Sequence, residues 1–383
     1  MSQSKKQKIA ILFHPIRYWG GAQLHLRKTL DALTSESSEV TVYCSYYFKE
    51  QIEKRFSQYN IKATFLQYFP FKKQLQHELV SLEGVAFKLL NLKGYDTVIA
   101  ISDGFEKIAP LPKPARKILI TLTPPRFLYL NTRSKVDFKR WTYLLYRAIL
   151  EKPLHALWRM WDINGARQYD EVYSISSAVA SRVKEHWDMD SEILYPPVPL
   201  DEIKYNPDYK SRKDHFVFFG GIEEYKGVEL AIRGCILANV KLHVHGNGQY
   251  LEPMKKLVAE KNAEHLITFY GRYADEDKLV FLNDARGGIL PARDEDFGIT
   301  FVEVLASGMP LIAYKDGGAV DIIGDYKNIG ILIDQYTPEA VAQAIKSLDK
   351  ISFNPELAKE RASYFSTENF KLRLRKIVYG TAS

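Results

Sequence analysis

Short apolar runs alternate with segments of helical periodicity from one end of this chain to the other. In the first half Ile9–Phe13, Val40–Tyr43, Ala63–Leu66, Thr97–Ile101, Lys117–Ile120 and Glu171–Ile175 read as strands. In the second half Phe216–Phe219, Lys241–His245, Ile267–Tyr270, Gly287–Leu290, Pro310–Ala313 and Gly330–Ile333 repeat the pattern. Strands separated by helices pair in parallel, and a parallel sheet must be covered on both faces, so the class is α/β. Between the halves, Leu194-Tyr-Pro-Pro-Val-Pro199 cannot continue a helix or a central strand and makes a hinge. The expected architecture is two doubly wound Rossmann-like domains facing a central cleft, residues 1–198 and 199–365. The basic, helical stretch Glu368–Tyr379 follows them.

The densest chemistry lies in Pro291-Ala-Arg-Asp-Glu-Asp-Phe-Gly-Ile-Thr-Phe-Val-Glu303. Leu290 ends a buried strand, Gly298 permits a tight turn, and Phe301, Val304 and Leu305 recur at helical spacing until Gly308 and Pro310 stop the helix. The loop therefore sits at the carboxyl end of a strand, where open parallel sheets bind ligands, and the amides of Gly298, Ile299 and Thr300 suit a phosphate. Glu295 and Glu303 flank that cradle. They are expected either to accept hydrogen bonds from sugar or ribose hydroxyls or to be solvated acids favouring a helix N-terminus.

The string EDFGITFVEVLASGMPLIAYKDGG resembles the E-x7-E signature of family-4 retaining glycosyltransferases of the GT-B fold, and is most similar to the mannosyltransferase-like branch that builds surface polysaccharides. Four further pieces match in order: Gly20-Gly21-Ala22-Gln23, Thr123-Pro-Pro-Arg126-Phe-Leu-Tyr129, Tyr195-Pro-Pro-Val198 and Tyr225-Lys226-Gly227. The resemblance implies a metal-independent enzyme without a cofactor. It moves a sugar (mannose, a 6-deoxyhexose or another hexose) with retention from a nucleotide-diphosphate donor, GDP-sugar favoured over UDP-sugar. The acceptor is lipid-linked or a polysaccharide.

By the same resemblance Lys226 contacts the donor diphosphate, Glu295 faces the transferred sugar and Glu303 holds the ribose hydroxyls. The expected donor site is completed by Gly20 and Gly21, Arg272 and Tyr273 at the base, and Arg293, Phe297, Gly298, Ile299 and Thr300 around the phosphates. Arg126 and Tyr129 are acceptor candidates, and the last helix, 366–383, is expected to pack back on the first domain. Relatives commonly carry a His before the Thr-Pro pair and an Arg beside the glycine that ends the first strand of the second domain, where this chain has Leu122 and Gly221. Those departures suit a donor lacking the C6 hydroxyl. A second possibility is a chain that has lost catalysis and serves as a sugar-nucleotide-binding or scaffolding subunit. A weaker alternative is an epimerase of the same fold.

Composition narrows the setting. With 383 residues and 46% hydrophobic content the chain is long enough for two cores. Cys44 and Cys235 fall in different predicted domains and offer neither a disulfide framework nor metal-ligand spacing, which suits the cytoplasm. The net charge of +7 is concentrated between Arg126 and Arg167, where Arg133, Lys135, Lys139, Arg140, Arg147, Lys152 and Arg159 are interleaved with Trp141, Tyr143, Trp158 and Trp161. That segment is either a surface for anionic lipid headgroups or a pyrophosphate-linked acceptor, or two helices with core aromatics and solvated basic faces. No nucleic-acid module accompanies the charge.

Overall fold

The computed structural model describes residues 6–70, 72–74, 79–129, 155–208, 211–348 and 350–380. The chain divides into two compact units, Met1–Leu194 with Lys371–Ser383, and Tyr195–Phe370. Each is built on one parallel sheet.

In the first unit the strands are β1 (Gln7–Phe13), β2 (Ser38–Cys44), β3 (Asn60–Ala63), β4 (Thr97–Ser102), β5 (Arg116–Thr121), β6 (Glu171–Ser174) and β7 (Glu192–Ile193), in the order β3-β2-β1-β4-β5-β6-β7. The second unit has β8 (Phe216–Gly221), β9 (Leu242–Asn247), β10 (Ile267–Gly271), β11 (Gly287–Leu290), β12 (Leu311–Tyr314) and β13 (Gly330–Ile333), in the order β10-β9-β8-β11-β12-β13. Both are doubly wound: the chain lays strands to one side of the first strand, then crosses to the other. Central strands such as β4 and β11 are buried at every residue, because helices cover both faces. Edge strands alternate or lie exposed, as in β10 and β7.

One expected strand is displaced. The run Ala63–Leu66 is not a strand: β3 ends at Ala63, and Phe65–Tyr68 is a 3-10 turn. The Thr64 side chain accepts from the Leu66 amide and donates to Ser45 O at 2.6 Å, which turns the chain. Leu66 then buries in a small cluster with Tyr46, Phe48, Leu79 and Ala86. Of the run's two large apolar residues, Leu66 serves that cluster and Phe65 is exposed.

The last helix, Thr367–Tyr379, ends in the first unit. Arg375 Nε donates to Ala32 O at 2.9 Å, Tyr379 OH to Leu33 O at 3.0 Å, and Val378 O accepts from Arg116 Nη1 at 3.0 Å. Among the described residues no helix is long and apolar enough to cross a membrane. Arg133, Lys135, Lys139, Arg140, Trp141, Tyr143, Arg147 and Lys152 of the basic segment lie outside the described residues.

Candidate active site

The sheet of the second unit reverses between β8 and β11. At the carboxyl ends of these two strands lie Gly220-Gly221 and the loop Pro291–Gly298, the position where doubly wound sheets take ligands. Gly220 has φ +130°, and a side chain there would meet nothing within 4 Å, so the backbone borders open space. Its carbonyl touches the neighbouring strand end instead: a Cβ on Gly246 would lie 1.9 Å from Gly220 O.

The motif loop is held from two directions. Arg293 N donates to Tyr225 O at 2.7 Å, and a Cβ on Gly227 (φ +76°) would lie 2.2 Å from Pro291 O, so the 3-10 turn Glu224–Lys226 after β8 is locked against the loop after β11. From the other side, Asp316 accepts from Asp294 N at 2.6 Å and from Gly317 N at 2.8 Å, while Gly318 N donates to Glu295 O at 3.0 Å. Side chains at Gly317 and Gly318 would sit 2.1 and 2.0 Å from the carbonyl oxygens of Glu295 and Phe297. Gly298, at φ +93°, then starts the helix Ile299–Ala306, and only glycine fits, since a Cβ would lie 2.3 Å from the Phe301 ring.

This clamp brings Lys226 and Glu295 together. Nζ lies 2.5 Å from Glu295 Oε2, and the two side chains are 28% and 14% exposed. Burial pulls the Lys226 pKa down, but the Glu295 charge and hydrogen bond outweigh it, and the net shift is upward. The ammonium has three donors, so it can keep Glu295 and still offer an N–H to a phosphate oxygen.

Glu303 is placed otherwise than a solvated acid. It is buried within the helix Ile299–Ala306, and its Oε1 accepts from Lys278 Nζ at 2.7 Å. Lys278 comes from the helix Asp275–Asp284 that follows β10, and sequence reasoning passed over it. A signal existed: Lys278 precedes Phe281 and Leu282 by three and four residues, which puts it on a buried face.

The remaining candidates are spread more widely. The Arg293 guanidinium lies 3.5 Å above the Tyr336 ring. Phe297 packs its ring on Tyr195 and Phe365, so its side chain serves the core. Ile299 and Thr300 are partly exposed at the helix start, and Arg272 is exposed in the loop after β10. Tyr273 packs edge-on against Phe281 at 5.4 Å and His245 at 6.4 Å.

Gly20, Gly21, Arg126 and Tyr129 belong to the first unit. Gly20 caps the helix Gly21–Leu33, whose first turn carries no acid. Near it, His14 Nδ1 lies 2.6 Å from Asp103 Oδ1, joining the ends of β1 and β4. Arg126 is partly exposed at the start of a short helix, Arg126–Tyr129. Tyr129 donates its hydroxyl to Asp162 Oδ2 at 2.8 Å and stacks on His186, a structural use of the side chain. Leu122 is buried at 8% exposure.

Residues 201–364 match the family model of glycosyl transferases, group 1. The match spans most of the second unit, Tyr195–Phe370. An uncharacterized glycosyltransferase of Methanocaldococcus jannaschii is 26% identical over 213 residues, 54% of this chain and 59% of that protein. Spinach (Spinacia oleracea) sucrose-phosphate synthase is 43% identical over 77 residues, 20% of this chain and 6% of that protein. The matches thus span less than two thirds of these relatives' own length. Among solved structures, sucrose-phosphate synthase of Thermosynechococcus elongatus superposes with TM-score 0.73 at 16% identity, covering 98% of both chains. HepE of Anabaena, in complex with UDP and glucose, gives 0.68 at 16% identity over 97% of this chain and 99% of its own. The fold is GT-B, two Rossmann-like units of seven and six strands.

Proposed function

We propose that the chain is a retaining, metal-independent hexosyltransferase that takes a nucleotide-diphosphate sugar and passes the sugar to a lipid-linked or polysaccharide acceptor in glycan biosynthesis. The observation that carries this reading is the Lys226–Glu295 pair, joined by the glycine-started helix at Gly298, at the switch point of the second sheet. Cleavage of the anomeric C–O bond sends its electron pair to the diphosphate. That growing charge is met by the Lys226 ammonium and the first amides of the helix Ile299–Ala306, fixed before the reaction begins. Glu295 accepts from the hydroxyls of the sugar, and Glu303 from those of the ribose. The acceptor oxygen bonds to the anomeric carbon on the face the phosphate leaves, and its proton passes to a leaving phosphate oxygen. No protein nucleophile takes part.

Mannose or a 6-deoxyhexose remains the sugar of this reading, the latter favoured by an apolar, buried Leu122. A GDP or UDP donor fits equally, and UDP gains support from the UDP held by HepE. The placement is at the cytoplasmic face of an anionic membrane, with residues 126–167 supplying the contact. A second reading, a catalytically silent sugar-nucleotide-binding subunit, is favoured by the absence of an arginine at Gly221. Transfer assays over a panel of GDP- and UDP-sugars, with the product anomer read by NMR, separate the two. The expected result is transfer with retained configuration for one donor class. Binding without turnover for every donor moves the protein to the second reading, and no binding at all overturns both.

A further inference from the structure

Two lysine–glutamate pairs serve the motif, and they differ in kind. Lys226–Glu295 is the more open, its side chains 28% and 14% exposed, whereas those of Lys278 and Glu303 are only 11% and 7% exposed. Nothing in the cradle requires Lys278 to touch a ligand. The helix Ile299–Ala306 is buried at Phe301, Val302, Val304, Leu305 and Ala306 around Glu303, so an apolar residue at 303 would pack without any counter-charge. Replacing a buried ion pair by apolar groups is often neutral or stabilising, which makes such a pair poor as a stabiliser. Its retention at this site needs another reason. A carboxylate that reads a vicinal diol must hold a fixed plane, and a charge-assisted hydrogen bond on one oxygen fixes it.

Building on the reading of Glu303 as the ribose anchor, we propose that Lys278 is a positioning residue for ribose recognition: through its 2.7 Å bond to Glu303 Oε1 it orients the carboxylate that accepts from the ribose hydroxyls of the donor. Lys278 arises from the β10 side of the switch point and Glu303 from the β11 side, so the pair also ties together the two elements that border a nucleoside.

The test compares affinities of the full-length protein for UDP and GDP with those for their 2′-deoxy and 3′-deoxy forms, by titration calorimetry. Wild type is expected to prefer the ribonucleotide by roughly tenfold or more, the worth of a hydrogen bond to a charged group. Failure to discriminate removes Glu303 from the ribose, and the underlying reading falls with it. With discrimination present in wild type, Lys278→Met should reduce the ribo-to-deoxy ratio by about fivefold or more while leaving affinity for the deoxynucleotides nearly unchanged. An unaltered ratio, or an equal loss for both nucleotide types, overturns the proposal and leaves Glu303 in place. Should Lys278→Met fail to fold, the double variant Lys278→Met/Glu303→Gln buries no lone charge. Its affinities must match those of Glu303→Gln alone, and a further loss shared by the deoxynucleotides overturns the proposal.

Discussion

Replacing Lys226 by methionine probes the assigned chemistry most directly, because the structure separates its effect on folding from its effect on the donor. The Lys226–Glu295 pair is partly open to solvent, so its own contribution to stability is about 1 kcal/mol or less, and the variant should fold. The loss to catalysis is larger. Removing one fixed donor aimed at a developing charge costs on the order of 10²–10³ in rate, or about 2.7–4 kcal/mol. A second penalty follows from geometry, since Glu295 is then left beside the diphosphate without its counter-charge. Nucleoside diphosphate should therefore bind Lys226→Met more weakly than it binds the double variant Lys226→Met/Glu295→Gln, a non-additivity that calorimetry reads directly. Uridine or guanosine, lacking phosphates, should bind all three forms alike. Glu295→Gln alone gives a pH signature. Burial lowers the Lys226 pKa, while Glu295, with Tyr225 and Asp296 beside it, raises it, so loss of the carboxylate shifts the balance toward burial. Diphosphate binding should then fail at a lower pH on the alkaline side than in wild type, while transfer falls by about tenfold or more at neutral pH. Wild-type diphosphate affinity in Lys226→Met, or an alkaline limb that does not move in Glu295→Gln, would refute the assignment.

Gly298→Ala places a side chain at φ +93° and against the Phe301 ring, so roughly 1–3 kcal/mol of strain should lower the melting temperature and weaken nucleotide binding together; intact binding would show that the helix start can shift. Lys107 and Asp162 are fully buried 2.5 Å apart, and Asp162 Oδ2 also accepts from Trp187 Nε1 at 2.6 Å. Asp162→Asn should cost about 3–5 kcal/mol in urea unfolding of the first unit, and an unchanged midpoint would contradict that placement. Burial opposes the charge of His14, but Asp103 outweighs it and raises the pKa above the ordinary 6.5; Asp103 is also desolvated, yet His14 brings its pKa below 3.8. The pair's stabilisation is thus full between these ordinary values, fading as pH rises through the raised His14 value and as pH falls through the lowered Asp103 value. Asp103→Asn should therefore destabilise by on the order of 1 kcal/mol near pH 5 and by little near pH 9, and a pH-independent difference would reject the coupling.

How far the sequence carries the reader depends on whether a feature is stated by one segment or by two. Strands buried on both faces, such as β4 and β11, announce themselves as unbroken apolar runs, and the alternation of such runs with helices is what a doubly wound sheet requires. The edges of the first sheet escape: β7 is two exposed residues with no pattern to read, and the apolar run at Ala63–Leu66 belongs partly to a turn that Thr64 starts, whereas the edges of the second sheet, β10 and β13, are legible as Ile267–Tyr270 and Gly330–Ile333. At the site, Gly298 is legible because one backbone conformation fixes the residue type. Lys278 is less so, since its partner lies 25 residues away and nothing local distinguishes it from a surface lysine except the apolar residues beyond it. The converse inference runs from Glu303. A carboxylate in a helix buried from Phe301 to Ala306 is costly unless something answers its charge, so the helix Ile299–Ala306 by itself demands a basic residue on whatever packs against it. Lys226 could be sought from the phosphate it would meet. Lys278 could be sought only from the carboxylate, which is why its proposed role is expressed through Glu303 and its test must be read in the ribose.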